Sequence, residues 1–338
     1  SYRGAVLIVS HDRYFLDRLC SSICEIERGV LTRYKGNYSA FVRQREENNA
    51  RREKEYEQQQ KQIAQLEDYV AKNLVRASTT KMAQSRRKQL EKMERIERPA
   101  HEAKSAKIRF TYAVEPPIDV LKVKGVDISV GEGNARKTLV DEVSFDVRRG
   151  EKIGIIGDNG IGKSTLLRII QEKLPHKGIV RWNSNVKISY FEQESTNLNR
   201  ELTVMEELHS RYPSLSELEV RSLLAQVRLV GENVFKETGV ISGGERAKLC
   251  FAIMMQEHGN VLILDEPTNH LDLSTKEAIE EALEEYTGTI IFVSHDRYLL
   301  SKIADRLIEL TDGGYRCHNF GFEKYLDVLR EEQSEQKR

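Results

Sequence analysis

Hydrophobic and polar positions follow three different rhythms along the chain. Short apolar runs, Ala5–Val9, Val261–Leu264 and Ile290–Val293, have the length of buried strands. Between Asn37 and Arg98 there is no Gly or Pro, and Arg, Lys, Glu and Gln dominate, which favours long helix. Within it Tyr56, Ile63, Leu66, Val70 and Leu74 recur at spacings of seven, three, four and four, one apolar stripe on a helix. Met82, Leu90, Met93 and Ile96 give a second stripe, and Pro99 ends the pattern. The spacing predicts two antiparallel helices reversing near Asn73–Thr80; one uninterrupted helix is the alternative. From about Ile108, with Pro116-Pro117 at the entry, short strands each followed by a helix predict an α/β domain with a parallel sheet and a helical subdomain at about 199–258.

A repeat orders these regions. Residues 2–14, Tyr-Arg-Gly-Ala-Val-Leu-Ile-Val-Ser-His-Asp-Arg-Tyr, match residues 286–298, Tyr-Thr-Gly-Thr-Ile-Ile-Phe-Val-Ser-His-Asp-Arg-Tyr, with eight of thirteen positions identical at a constant offset of 284. At the same offset Glu25 meets Glu309, Tyr38 meets Phe322 and Phe41 meets Tyr325. Two copies of one domain are expected, the first present only as its tail. The expected division is 1–42 for that tail, 43–107 for a charged helical-hairpin linker and 108–338 for a whole second domain, so the chain reads as a fragment.

Composition changes this picture little. Lys plus Arg equals Asp plus Glu, 53 of each, so net charge says nothing about partners. No apolar run approaches the roughly 18 residues of a membrane span, and residues 1–4 carry neither Met nor a signal pattern. The four cysteines form no C-x-x-C pair; Cys20 and Cys24 could share a helix face, read as a reduced core pair rather than a metal site, and a cytoplasmic setting fits.

The chemistry concentrates in the second domain. The apolar segment Lys152–Ile156 runs into Gly157-Asp158-Asn159-Gly160-Ile161-Gly162-Lys163-Ser164-Thr165, and Leu166-Leu167 opens a helix. This is G-x-x-x-x-G-K-[ST] in the strand–loop–helix setting the motif requires. Backbone N–H groups and the helix N-terminus can cradle phosphates, Lys163 can reach the β and γ phosphates, and Ser164 can offer a hydroxyl to Mg²⁺. The strand at 261–264 ends in Asp265-Glu266. Asp265 there is placed to hold Mg²⁺, and Glu266 to take a proton from an attacking water.

Taken with the phosphate loop, four further motifs resemble the ATP-binding cassette ATPases. Gln193 in Tyr-Phe-Glu-Gln resembles the Q-loop glutamine, and Ser294-His295 the switch histidine. Ile241-Ser242-Gly243-Gly244-Glu245 resembles the signature loop, with Glu where many members have Gln, and residues 265–272, Asp-Glu-Pro-Thr-Asn-His-Leu-Asp, resemble the Walker B box running into the D-loop at Asp272. The fold implied is α/β: a P-loop NTPase of the ABC type with an attached helical-hairpin linker. Within the superfamily the Glu-Pro-Thr-Asn-His-Leu-Asp and Ser-His-Asp-Arg-Tyr sequences, two cassettes in one chain and a charged linker are similar to the ABC-F class. That resemblance implies ATP and Mg²⁺ as ligands, Glu266, His295 and Gln193 in hydrolysis, Ser164, Gln193 and Asp265 at the metal, and a ribosome-associated role in translation. It also implies head-to-tail cassettes, so that Ser242, Gly243, Gly244 and Asp272 serve a nucleotide on another domain and His11 faces the missing first site. The intact chain's own first cassette is the expected partner, with a weak homodimer as the substitute in the fragment. The family's usual adenine-stacking aromatic is absent near Val130, where Tyr112 is a candidate replacement.

Residues 43–109 hold 18 Lys/Arg against 11 Asp/Glu. Between Tyr69 and Leu90 stand Lys72, Arg76, Lys81, Arg86, Arg87 and Lys88 with no acid, a pattern suited to phosphate-backbone contact with rRNA or tRNA. A solvated charged hairpin is the bland alternative. For the whole, the nucleotide-binding component of a transporter and a DNA-repair or chromosome-organising cassette are the other readings.

Overall fold

The structure, a computed structural model, describes residues 4–10, 12–27, 29–73, 80–96, 107–131, 137–192, 198–269 and 271–335. The chain divides into two compact units, Ser1–Lys104 and Ser105–Arg338. Gln193, Arg76 and His11 lie outside the described residues.

In the first unit, helix α1 (Arg13–Leu19) starts where Asp12 accepts from the Phe15 N–H at 3.0 Å. Strands β1 (Ser22–Glu27) and β2 (Val30–Lys35) pair antiparallel, and α2 runs without a break from Tyr38 to Asn73. The expected boundary at 42/43 therefore falls inside a helix. Helix α3 (Thr80–Lys92) packs back on α2: the Tyr69 hydroxyl donates to Met82 Sδ at 3.4 Å, and Gln59 bonds the Glu94 carbonyl (2.9 Å) and the Ile96 N–H (2.8 Å). Residues 59 and 69 thus meet 94–96 and 82 in reverse order, the expected antiparallel pair.

Two details of the apolar stripes differ from expectation. Helix α3 ends at Lys92, and Gln59 takes the place of helical partners for residues 94 and 96. Ile63, Leu66 and Ala83 are buried in the seam, whereas Met82 is 55% exposed. Close approach of two helices favours the small residue at 83 over its larger apolar neighbour.

The second unit is the α/β domain. Strands β3 (Asp119–Val130), β4 (Lys137–Arg148) and β6 (Ile179–Trp182) form an antiparallel sheet that the sequence pattern did not announce. The larger sheet contains β5 (Lys152–Gly157), β7 (Ile188–Phe191), β8 (Val261–Asp265), β9 (Thr289–Val293), β10 (Arg306–Thr311) and β11 (Gly314–His318) in the order β11-β10-β5-β9-β8-β7. All its pairings are parallel except β10 with β11. Strands β8 and β9 are buried at every position, because the sheet has a core on each face. Leu262 and Leu264 join the core that includes residues of α5 (Val204–Arg211), α6 (Glu217–Gln226) and α7 (Gly243–Glu257), while Val261 and Ile263 join the one that includes α4 (Lys163–Ile170) and the antiparallel sheet. A single 3₁₀ turn, Gly231–Phe235, and an isolated bridge interrupt the helical region expected at 199–258. Helices α8 (Leu273–Glu285), α9 (Arg297–Ile303) and α10 (Phe322–Glu335) complete the unit.

The repeat is visible in three dimensions. In the hairpin β1–β2 Glu25 pairs with Thr32, and in β10–β11 Glu309 pairs with Arg316, the same register at the offset of 284. Glu25 accepts from the Tyr34 hydroxyl at 3.1 Å; its counterpart Glu309 lies 3.0 Å from His318 Nε2 and accepts from Tyr325 at 2.7 Å. One expectation fails. Ala5–Val9 forms no strand, with Val6, Leu7 and Val9 65%, 94% and 93% exposed. Its counterpart β9 is sandwiched between β5 and β8, and the described residues of the first unit hold no equivalents of those flanking strands. Cys20 ends α1 and Cys24 lies exposed on β1, so they neither share a helix face nor form a core pair.

Candidate functional site: a phosphate loop beside two buried carboxylates

Strand β5 delivers the chain into a loop whose shape needs its glycines. At Gly157 (φ 144°) a Cβ would sit 2.5 Å from the Leu310 carbonyl, and at Gly162 (φ 106°) 2.7 Å from Ile128 Cγ2, so only glycine lets the loop close on the sheet. Gly162 begins α4 without any side-chain cap, leaving that helix's first N–H groups available to an anion. Lys163 is buried and bends back, donating to the carbonyls of Gly157 (2.8 Å) and Asp158 (2.9 Å); burial lowers its pKa. Those two bonds hold the ammonium against the loop.

The second wall is the end of β8. Asp265, 2% exposed, accepts from the Ser164 hydroxyl at 3.0 Å, which brings together the two residues expected at Mg²⁺. Burial raises the Asp265 pKa. Glu266 is 6% exposed and adopts φ 50°, a costly conformation for a side chain of this kind. Its Oε2 accepts from the His295 N–H at 3.2 Å, its Oε1 lies 3.5 Å from His295 Nε2, and Oε1 has no hydrogen-bond partner. Burial, opposed by the His295 N–H and reinforced by Asp265, pushes its pKa up to about 7. His295 is itself held low by burial and by Lys163. A carboxyl poised near neutrality, with one orphaned oxygen, beside a neutral imidazole suits proton acceptance from a water.

The other expected residues occupy different settings. Ser242 caps α7 in a reciprocal box, its hydroxyl donating to Glu245 Oε2 (2.8 Å) while the Glu245 N–H donates back (3.2 Å), and it is exposed. Backbone and hydroxyl donation by Ser242 holds the Glu245 carboxyl below its usual range. Asp272 caps α8 and binds Lys248 (2.9 Å), Ser274 (2.7 Å) and the Thr275 N–H (2.8 Å). Burial disfavours its charge, yet those bonds keep the carboxyl well below the usual range. Its carboxylate thus helps to fix the start of α8. Tyr112 packs edge-on against Tyr286 at 6.0 Å and accepts from Thr287, and Val130 is 40% exposed.

The linker cations are less free than their sequence window implied. Lys72 pairs with Asp68 (2.8 Å), Arg87 with Glu91 (3.4 Å), and Arg86 lies 4.0 Å over the Tyr69 ring. The acids stand just outside the acid-free window, and one helical turn brings them back. Lys81 and Lys88 are exposed.

A phosphate loop between a buried strand and an uncapped helix, walled by an Asp-Glu pair on a second strand, defines a P-loop nucleotide-binding domain. Two family models described as ABC transporter match residues 24–110 and 140–269. The chain belongs to the F class of the ATP-binding cassette family. It is 44% identical over 332 residues to YdiF of Bacillus subtilis (strain 168), named as an ATP-binding protein, covering 98% of this chain and 51% of that one. It is 38% identical over 340 residues to ABC transporter F family member 5 of Arabidopsis thaliana, covering 97% and 48%. The chain thus spans about half the length of the curated relatives it matches. Among solved structures, the dimeric post-hydrolysis state of the ATP-binding cassette MJ0796 bound to ADP and Pi matches with a TM-score of 0.51 and 25% identity, over 60% of this chain and all of that one. Among the described residues no helix is long and apolar enough to cross a membrane.

Proposed function

We propose that the second unit binds MgATP on the 157–165 loop and hydrolyses it with Glu266 as the proton acceptor, within an ABC-F protein that acts on the ribosome. The observation that carries this reading is the orphaned, buried Glu266 Oε1, facing His295 across from the Ser164–Asp265 pair. Lys163 exchanges its loop carbonyls for phosphate oxygens. Ser164, Asp265 and Gln193 hold Mg²⁺, which when bound neutralises charge on the β and γ phosphates. Glu266 accepts a proton from the water, and His295 orients it.

The exposed, helix-capping Ser242 fits a role in trans: the nucleotide of one cassette completed by the signature loop of another. Removing one preorganised donor costs ~10²–10³ in rate, so a dilute single cassette binds ATP but turns over near background. The linker, with Lys81 and Lys88 exposed, supports contact with rRNA or tRNA backbone. The test is turnover per molecule against concentration. It should rise on concentrating the chain, and Ser242→Arg should remove the rise while leaving ATP binding intact. Turnover that stays flat on dilution and survives Ser242→Arg overturns the shared-site reading.

A further inference from the structure

The sequence Ser-His-Asp of residues 294–296 recurs at 10–12, and the described residues of the two copies can be compared. In both, the Asp N–H donates back to the Ser hydroxyl at 3.0 Å, Asp12 to Ser10 and Asp296 to Ser294, and in both the Asp caps the following helix. That bond and cap are therefore local features that the Ser and Asp themselves form. The difference is tertiary. Asp12 is exposed, whereas the Asp296 side chain is 19% exposed and its Oδ2 faces Lys276 Nζ of α8 at 3.9 Å.

Lys276 is an unusual residue for its place. Its side chain is 11% exposed, in the second turn of a helix whose outer face offers solvent to longer side chains. Burying an ion pair is a weak source of stability, and replacing both partners by apolar residues of similar volume commonly does as well or better. A charge kept at such a place is better explained by what it locates. Lys276 stands four residues after Asp272, which ends the loop carrying Glu266, and its own N–H donates to the Asp272 carbonyl at 3.0 Å. Asp296 stands one residue after His295, whose N–H holds Glu266 Oε2. The pair thus joins the far end of the Glu266 loop to the far end of the His295 turn.

We propose that Lys276 is a positioning residue for ATP hydrolysis, fixing the Ser294–Asp296 turn, and with it His295, against Glu266. The proposal rests on the hydrolytic reading above. The Asp-to-Ser bond and the helix cap form without the lysine, as Ser10 and Asp12 show; their location relative to Glu266 is what Lys276 adds. A displacement of an angstrom at a catalytic group costs up to ~10²-fold in rate. At concentrations where turnover is measurable, Lys276→Met should therefore lower it about 10-fold while ATP affinity stays within about twofold, and the melting temperature lost by leaving Asp296 unpaired should return in Lys276→Arg. Lys276→Arg should restore most of the rate. A readout independent of activity separates this from the hydrolytic reading: the Cε1–H resonances of the eight histidines, with His295 assigned by its loss in His295→Gln. In Lys276→Met the His295 resonance should shift or broaden while those of His176 and His209 stay in place. If ATP does not bind at all, the phosphate-site reading fails, and the His295 resonance still decides the positioning claim. An unmoved His295 resonance overturns the proposal, as does a melting temperature that falls in Lys276→Met and is not recovered by Lys276→Arg.

Discussion

Glu266→Gln should make the nucleotide-free protein more stable at alkaline pH while stopping turnover. The carboxyl is 6% exposed, and its pKa is pushed from 4.5 up to about 7, chiefly by burial. That displacement corresponds to about 3 kcal/mol of strain when the group is charged. The folded protein holds the proton more tightly than the unfolded chain, so the penalty is absent below the unfolded pKa, grows as pH rises, and is complete above the folded one. Glutamine keeps an oxygen for the His295 N–H and removes the charge. At pH 8 the variant should gain about 2–3 kcal/mol, a rise of roughly 4–10 °C in melting temperature for a unit of this size. At pH 4.5 the two proteins should melt nearly together. Thermal unfolding of both proteins, without nucleotide or Mg²⁺, across pH 4.5–8 measures this directly. A gain that is absent at pH 8, or the same size at both ends of the range, refutes a buried charge at Glu266.

Lys163→Ala should weaken MgATP binding by about 30–100-fold in calorimetry, the value of charge-assisted bonds to phosphate; wild-type affinity would remove the loop as the phosphate site. In the hairpin, Ala83→Leu should cost about 1–3 kcal/mol by overpacking a fully buried seam position, whereas Met82→Ala should change stability by less than about 0.5 kcal/mol. Circular dichroism during denaturation distinguishes them. Replacing both Lys81 and Lys88 with Ala should lower the slope of log affinity for RNA against log salt by about two; an unchanged slope would leave the linker a solvated hairpin.

The sequence alone determined the features that depend on short spacings. The strand–loop–helix around Lys163, the Asp-Glu pair after β8 and the two helices on either side of residues 74–79 are all local patterns, and the structure contains each of them. Features set by distant neighbours were out of reach. The run Ala5–Val9 reads like β9, but a strand exists only where other strands accept its hydrogen bonds, and among the described residues no flanking strands stand beside it. Met82 was a reasonable seam residue by hydrophobicity; how closely two helices approach decided for Ala83. The acid-free window from 69 to 90 ignored Asp68 and Glu91, which helical geometry returns to Lys72 and Arg87. The antiparallel sheet of β3, β4 and β6 lacks a local signature distinct from the parallel strands. The tertiary structure also gave Glu266 its character. A carboxylate after an apolar strand is ordinary in sequence, and it becomes a base near neutrality only because folding removes its water and sets Asp265 beside it, against the opposing His295 N–H.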